Sequence, residues 1–238
     1  MLPKEYIANL KALQGFDYDA YQTALCAPPT RGLHVNLCKG STGHVPALIC
    51  EEWQEHALTP LSYSEDCFLV ESEKSVGQLP LHHAGAYYMQ EPSAMTPVCC
   101  LALKKGMRVL DLCAAPGGKS TQIANKIGES GLLVSNEIHP GRCAILAGNI
   151  ERMGIRHAVV THTDAQNLAQ YLPHYFDAIV VDAPCSGEGM FRKTPEAIEE
   201  WQESSPLFCA KRQKEILSHA AKMLKSGGCL VSSTCTFS

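Results

Sequence analysis

The rhythm of hydrophobic and polar positions changes part-way along this chain. Residues 3–13 have the spacing of a first helix. The Pro28-Pro29 pair then breaks the chain before Gly32-Leu33-His34-Val35-Asn36-Leu37, which alternates as a half-buried strand does. Cys67-Phe68-Leu69-Val70 predicts another short strand. The chain up to this point and a little beyond reads as a small α+β module. A stretch punctuated by Gly and Pro, 77–85, closes it and places a domain boundary near residue 85, dividing the chain into 1–85 and 86–238.

After that boundary, apolar runs alternate with helical periods. Strands are predicted at 108–112, 132–135, 158–160 and 176–182, with helices at 120–127 and 141–153 between them. A long amphipathic helix follows, with Leu207, Ala210, Leu217, Ala221 and Leu224 on one face and Lys211, Arg212 and Lys214 on a solvated one. Lys225-Ser226-Gly227-Gly228 supplies a glycine stop, and 229–233 is a fifth strand. Strands alternating with helices of this length predict an α/β fold built on a doubly wound parallel sheet, Rossmann-like in its winding. No internal repeat or low-complexity segment interrupts it.

Composition narrows the class without naming a function. The chain has 238 residues, 45% of them hydrophobic and 18% charged, which suits a globular protein with a proper core. It contains no apolar run long enough to span a membrane, and the start Met-Leu-Pro-Lys-Glu-Tyr lacks the basic-then-apolar order of a signal peptide. A cytoplasmic location is expected. Most of the 12 cysteines sit within apolar runs and no Cys-x-x-Cys pair occurs, so reduced thiols are expected rather than disulfides, and no metal site. Residues 1–100 carry 5 Lys+Arg against 11 Asp+Glu, and residues 101–238 carry 15 against 13. That is not the strongly basic surface of an autonomous nucleic-acid binder, so any RNA contact must be local.

The first strand of the alternating region runs into Cys113-Ala114-Ala115-Pro116-Gly117-Gly118-Lys119-Ser120. In such sheets this turn lies against the cofactor, and glycines let the backbone approach it closely. A phosphate loop would need glycine at position 113, and the Gly-x-Gly-x-x-Gly dinucleotide fingerprint is absent. What remains is an acid ending the first strand, Asp111, a Gly-Gly turn, and a second acid, Glu137, after the second strand, where ribose hydroxyls are held. Asp164, after the third, is placed to read an adenine amino group. A nucleoside cofactor without a phosphate cradle suggests S-adenosylmethionine. The competing reading takes these acids and glycines as ordinary turn residues.

Two later phrases each carry a cysteine past the end of an apolar run: Asp182-Ala183-Pro184-Cys185-Ser186-Gly187 and Ser233-Thr234-Cys235-Thr236-Phe237-Ser238. Thiols at the ends of neighbouring strands can face one pocket and divide a reaction between them. Taken alone, either cysteine is better read as a structural thiol. Cys113, Cys143 and Cys209 are expected to fill core space, and His82-His83 to lie in a loop. Arg192-Lys193 follow the Gly187-x-Gly189 turn, where a phosphate backbone can be touched.

Together, Asp111-Leu112-Cys113-Ala114-Ala115-Pro116-Gly117-Gly118-Lys119 and the two cysteine phrases resemble the motifs of the Sun family of RNA (cytosine-5) methyltransferases. Gln90-Glu91-Pro92-Ser93-Ala94-Met95 is similar to the segment that leads into the family's catalytic domain. The Leu2-Pro3 helix and Arg31-Gly32-Leu33-His34-Val35-Asn36 resemble the bacterial RsmF branch, which acts on small-subunit ribosomal RNA. The resemblance covers nearly the whole chain.

It implies S-adenosylmethionine contacts from Cys113, Ala114, Ala115, Pro116, Gly117, Gly118, Lys119, Glu137, Asp164 and Asp182, with Cys235 as the nucleophile and Cys185 assisting release of the product. Asp182 is a further candidate, as a donor to the cytosine ring nitrogen, which requires its pKa to be raised by burial or a neighbouring charge. Family members continue past residue 238. The sheet is therefore expected to be incomplete on its C-terminal side, its fifth strand an edge, and its last residues frayed or paired with another molecule. Two rival readings stand beside this one: a DNA cytosine-5 methyltransferase using the Pro-Cys thiol as nucleophile, and a cofactor-binding fragment without catalysis.

Overall fold

The structure, a computed structural model, describes residues 2–237; Met1 and Ser238, the last residue of the second cysteine phrase, lie outside it. The chain opens with α1 (Lys4–Lys11) and α2 (Tyr18–Cys26), the second capped by Asp17, whose carboxylate accepts from Ala20 N at 2.9 Å. There follow β1 (Arg31–Val35), α3 (His44–Trp53), β2 (Leu58–Pro60), β3 (Cys67–Val70), α4 (Pro80–His83) and β4 (Tyr87–Met89). These four strands pair antiparallel in the order β2-β3-β1-β4. Leu33, Val35, Ile49, Phe68 and Tyr87 are the heart of their core. His82 and His83, expected in a loop, close the single turn of α4.

α5 (Pro92–Cys99) leads to the second sheet. Its elements are β5 (Arg108–Asp111), α6 (Gly118–Ile127), β6 (Leu132–Asn136), α7 (Pro140–Met153), β7 (Ala158–Thr161), α8 (Ala165–Tyr171) and β8 (Phe176–Asp182), then α9 (Pro195–Glu200), α10 (Ser205–Met223) and β9 (Leu224–Ser233). All five strands are parallel, in the order β7-β6-β5-β8-β9. The expected α/β class is borne out. The central strands read as continuous apolar runs because helices cover both faces of a parallel sheet; Val109, Leu133 and Val180 are fully buried.

Two expectations about the C-terminal segment are corrected. The helix does not run to a glycine stop: it ends at Met223, because Leu224 already pairs with Phe176, and Lys225–Gly228 form an irregularity within β9. Nor is the expected face of α10 its buried one. Leu207 is 78% exposed and Ala210 and Ala221 are exposed, whereas Ala220 and Met223 are buried. β9 is the sheet edge that the sequence led us to expect, with Cys229 exposed.

The chain forms two compact units. One comprises Thr30–Asp182 and Ser218–Ser233 and contains both sheets. Within it the small sheet is tied to α6: His34 Nε2 lies 3.0 Å from Thr121 Oγ1, and Asn125 donates to Val35 O at 2.7 Å while accepting from Leu37 N at 3.0 Å. The other comprises the chain up to Pro29, Ala183–Leu217 and the chain from Thr234 on. Tyr6, on α1, meets Phe191 and Trp201 edge-on there, with ring centroids 5.1 and 5.6 Å away.

Candidate active site

The order β7-β6-β5-β8-β9 reverses direction between β5 and β8, and in open parallel sheets ligands bind beyond the carboxyl ends of strands at such a point. Asp111 ends β5, Glu137 follows β6, Asp164 follows β7 and Asp182 ends β8. Four acids thus share one end of the sheet.

The turn after β5 is held tightly from behind. Ala114 N donates to Asn136 O at 2.9 Å, Arg142 Nη2 to Ala115 O at 2.8 Å and Asn149 Nδ2 to Pro116 O at 2.9 Å. Gly117 adopts φ +116°, a conformation that side chains other than glycine rarely take. A Cβ on Gly118 would stand 3.0 Å from the Gln90 amide carbon, so that position is closely packed too. Every residue from Cys113 to Gly118 except Pro116 is at least half-buried. Lys119 turns to Asp182, its Nζ 2.6 Å from Oδ2.

The acids differ in what they are doing. Asp111 is wholly buried; Oδ2 accepts from Ser120 Oγ at 2.7 Å, while Oδ1 has no hydrogen-bond donor. Burial pushes its carboxyl up to about 6 despite that bond and the nearby Lys119. Glu137 is buried, accepts from His139 N at 3.0 Å and pairs with Arg142 at 3.6 Å. Asp164 caps α8, taking Asn167 N on one oxygen and Asn167 Nδ2 on the other, each at 2.7 Å. Asp182 accepts from Lys119 and from Ser233 Oγ at 2.7 Å, with its side chain 41% exposed.

The second site lies in the other compact unit. Cys185 and Cys235 are both half-buried, with their sulfurs 2.7 Å apart, and Cys235 N donates to Cys185 Sγ at 3.2 Å. The two loops that carry them are joined elsewhere as well: Gly189 N donates to Cys235 O at 2.7 Å, and Ser186 Oγ lies 2.7 Å from Thr236 Oγ1. Gln213, on α10, steadies the first loop through Pro184 O at 2.9 Å. The last described residues are therefore not frayed: Cys235, Thr236 and Phe237 are all hydrogen-bonded to the 185–189 segment.

Residues 98–238 match the family model described as 16S rRNA methyltransferase RsmB/F, and residues 2–92 match the N-terminal domain of 16S rRNA methyltransferase RsmF. The chain belongs to the RsmB/F family. It is 39% identical to ribosomal RNA small subunit methyltransferase F of Enterobacter sp. (strain 638), over 98% of this chain and 50% of that protein. The chain thus spans about half the length of the curated relatives it matches. Among solved structures it is similar to a methyltransferase homolog protein from Pyrococcus horikoshii, with TM-score 0.75 and 28% identity over 91% of this chain and 68% of that one. It shares its fold with NSun6 from Pyrococcus horikoshii, solved with SFG, at TM-score 0.83 and 21% identity over 99% and 84% of the two chains.

Sequence reasoning thus identified the RsmB/F family through its Sun-type motifs. S-adenosylmethionine is the cofactor of this family. A buried carboxylate oxygen without a donor, Asp111 Oδ1, at the end of the strand that leads into the glycine turn, offers an acceptor to a cationic nucleoside. Among the described residues, no cluster of three or more His, Cys, Asp or Glu side chains could hold a metal, and no helix is long and apolar enough to cross a membrane. Sequence reasoning missed one residue. Glu188, only 1% exposed, stands between the cysteine loops as an acceptor. In sequence it is a lone acid between two glycines, and such residues usually face water; Thr236 and Trp201, which meet it, are distant in the chain.

Proposed function

We propose that this chain carries the catalytic centre of an S-adenosylmethionine-dependent RNA methyltransferase that acts on carbon 5 of cytidine in small-subunit ribosomal RNA. The observation that carries this reading is the 2.7 Å approach of the Cys185 and Cys235 sulfurs, which unites the two cysteine phrases in one feature. Cofactor contacts are proposed from Cys113 to Lys119 and from Glu137, Asp164 and Asp182, all gathered at one end of the parallel sheet. The division into 1–85 and 86–238 belongs to the same proposal, with family matches that meet between residues 92 and 98. A cytoplasmic location accords with the ribosomal substrate.

The chemistry explains the need for two thiols. Carbon 5 of cytosine is too weak a nucleophile to take a methyl group unaided. Addition of the Cys235 thiolate to carbon 6 converts the ring to an enamine, whose carbon 5 can then be alkylated. The cofactor supplies the methyl group. Departure of the carbon-5 proton and cleavage of the sulfur–carbon-6 bond restore the aromatic ring and the free thiolate, and Cys185 assists that release. An unassisted thiol, with pKa near 8.5, is only about 3% thiolate at pH 7, so the site must favour the ionised form. For Asp182, its bonds from Lys119 and Ser233 support a carboxylate that accepts and orients. The proton-donating role is the weaker of its two readings, because the side chain is partly exposed.

The test is covalent trapping on RNA containing 5-fluorocytosine, with S-adenosylmethionine present. Wild-type protein should form a stable adduct, Cys235→Ala none, and Cys185→Ala an adduct that also persists on unmodified RNA. An adduct retained by Cys235→Ala but lost in Cys185→Ala would favour the Pro-Cys nucleophile of DNA-type enzymes. Cofactor binding by titration, without any adduct, would favour a non-catalytic fragment.

A further inference from the structure

Glu188 is a buried charge that the proposed reaction does not use. It sits in the single 3-10 turn after Gly187, and its two oxygens are divided between the cysteine loops. Oε1 accepts from Ser186 Oγ at 3.1 Å and from Trp201 Nε1 at 3.1 Å. Oε2 accepts from Thr236 Oγ1 at 2.9 Å and from Phe237 N at 2.5 Å. Taking a carboxylate out of water is costly unless hydrogen bonds replace the lost hydration, and here they do.

The donors also dictate the chemical type of the group. Each oxygen faces one N–H that can only donate, the Trp201 indole on one side and the Phe237 backbone on the other. A glutamine amide, whichever way it turned, would set its NH₂ against one of them. Only a carboxylate satisfies both sides at once. Serine and threonine hydroxyls can rotate to suit either partner; these two N–H groups cannot.

We propose that Glu188 is a positioning residue for the thiol pair: an ionised, desolvated clasp that pins the Thr236-Phe237 segment to the Ser186 turn and so fixes where Cys235 stands relative to Cys185. Its catalytic meaning rests on the proposed roles of those thiols, but the geometry it enforces does not. An acceptor on both sides, not side-chain length alone, is what these donors require of the group at this position.

The experiment follows formation of the Cys185–Cys235 disulfide in the 238-residue chain, using a diazene oxidant that takes up the two electrons and two protons the thiols lose. The product is identified by peptide mass spectrometry, and S-adenosylmethionine affinity is measured on the same samples. Glu188→Gln should slow this disulfide at least tenfold while leaving cofactor affinity within twofold. Adding Trp201→Phe to Glu188→Gln removes one obligate donor, gives the amide NH₂ a place to face, and should recover at least half of the logarithmic loss. Thr236→Val, which keeps the carboxylate and removes one hydroxyl, should slow the disulfide about threefold and decides the matter if Glu188→Gln does not fold. Unchanged disulfide rates in Glu188→Gln, or in Thr236→Val where that variant decides, would overturn the proposal, as would a double variant no better than the single one. Trapping on 5-fluorocytosine RNA separates the two readings: an adduct retained by Cys235→Ala overturns the nucleophile assignment and leaves the clasp standing. A Glu188→Gln protein with slowed disulfide formation and wild-type trapping overturns the positioning role.

Discussion

Asp111 and Glu188 are both carboxylates removed from water, and they are provisioned in opposite ways. Asp111 has a hydroxyl donor on one oxygen and none on the other, and burial lifts its carboxyl to about 6. Glu188 has donors on both oxygens, from both cysteine loops. The lesson is that burial alone does not mark a ligand site. A buried charge left short of donors is a place where a ligand can supply them, whereas one that is fully served fixes the chain around it.

The contrast is broken or sharpened first by exchanging each acid for its amide. Asp111→Asn should weaken S-adenosylmethionine binding at least tenfold, and Glu188→Gln by no more than twofold, as read by isothermal titration. Equal losses would erase the distinction. The ligand-free protein should show the reverse: at pH 7.5 Asp111→Asn should raise unfolding stability by roughly 1–3 kcal/mol, because a charge buried without full compensation is removed. Denaturant melts of the two variants decide this.

A pH series resolves the same point with smaller effects. Asp111 binds its proton more tightly folded than unfolded, so its contribution favours the folded state at low pH and is lost as pH rises from about 4 to 6. His34 works the other way. Burial pushes its ring down to about 4, so its contribution is full above about 6.5 and is lost as pH falls towards 4. The two offset each other in the wild type. Asp111→Asn should therefore steepen the rise in stability between pH 4 and 6.5, and replacing His34 by Gln should flatten or invert it. The smallest effect is expected at Asp164, whose oxygens cap α8. Asp164→Ala should cost about 1 kcal/mol of stability, the usual worth of a cap, with only a few-fold loss of cofactor affinity.

The parallel sheet was legible because its strands are unbroken apolar runs and its helices keep a 3.6-residue period. The cofactor turn was legible because Gly117 and Gly118 stand where a strand meets a helix. Three features were not. Residues 3–13 could be read as a helix, but nothing local indicates that Tyr6 on α1 is buried against Phe191 and Trp201, almost the whole chain away. The extent of α10 was also misjudged, because Lys225-Ser226-Gly227-Gly228 reads as a helix stop. Strand pairing at Leu224 takes precedence over that local signal. Glu188 is hidden for the first of these reasons: its donors come from residues 186, 201, 236 and 237, and only the folded chain brings them together.

The two-thiol assignment is tested most directly by mapping the trapped nucleotide. RNA bearing 5-fluorocytosine is incubated with the protein and S-adenosylmethionine, the adduct is digested, and the modified peptide is sequenced by mass spectrometry. The nucleotide should be attached to Cys235, with Cys185 unmodified. Attachment at Cys185 would contradict the division of labour between the two thiols.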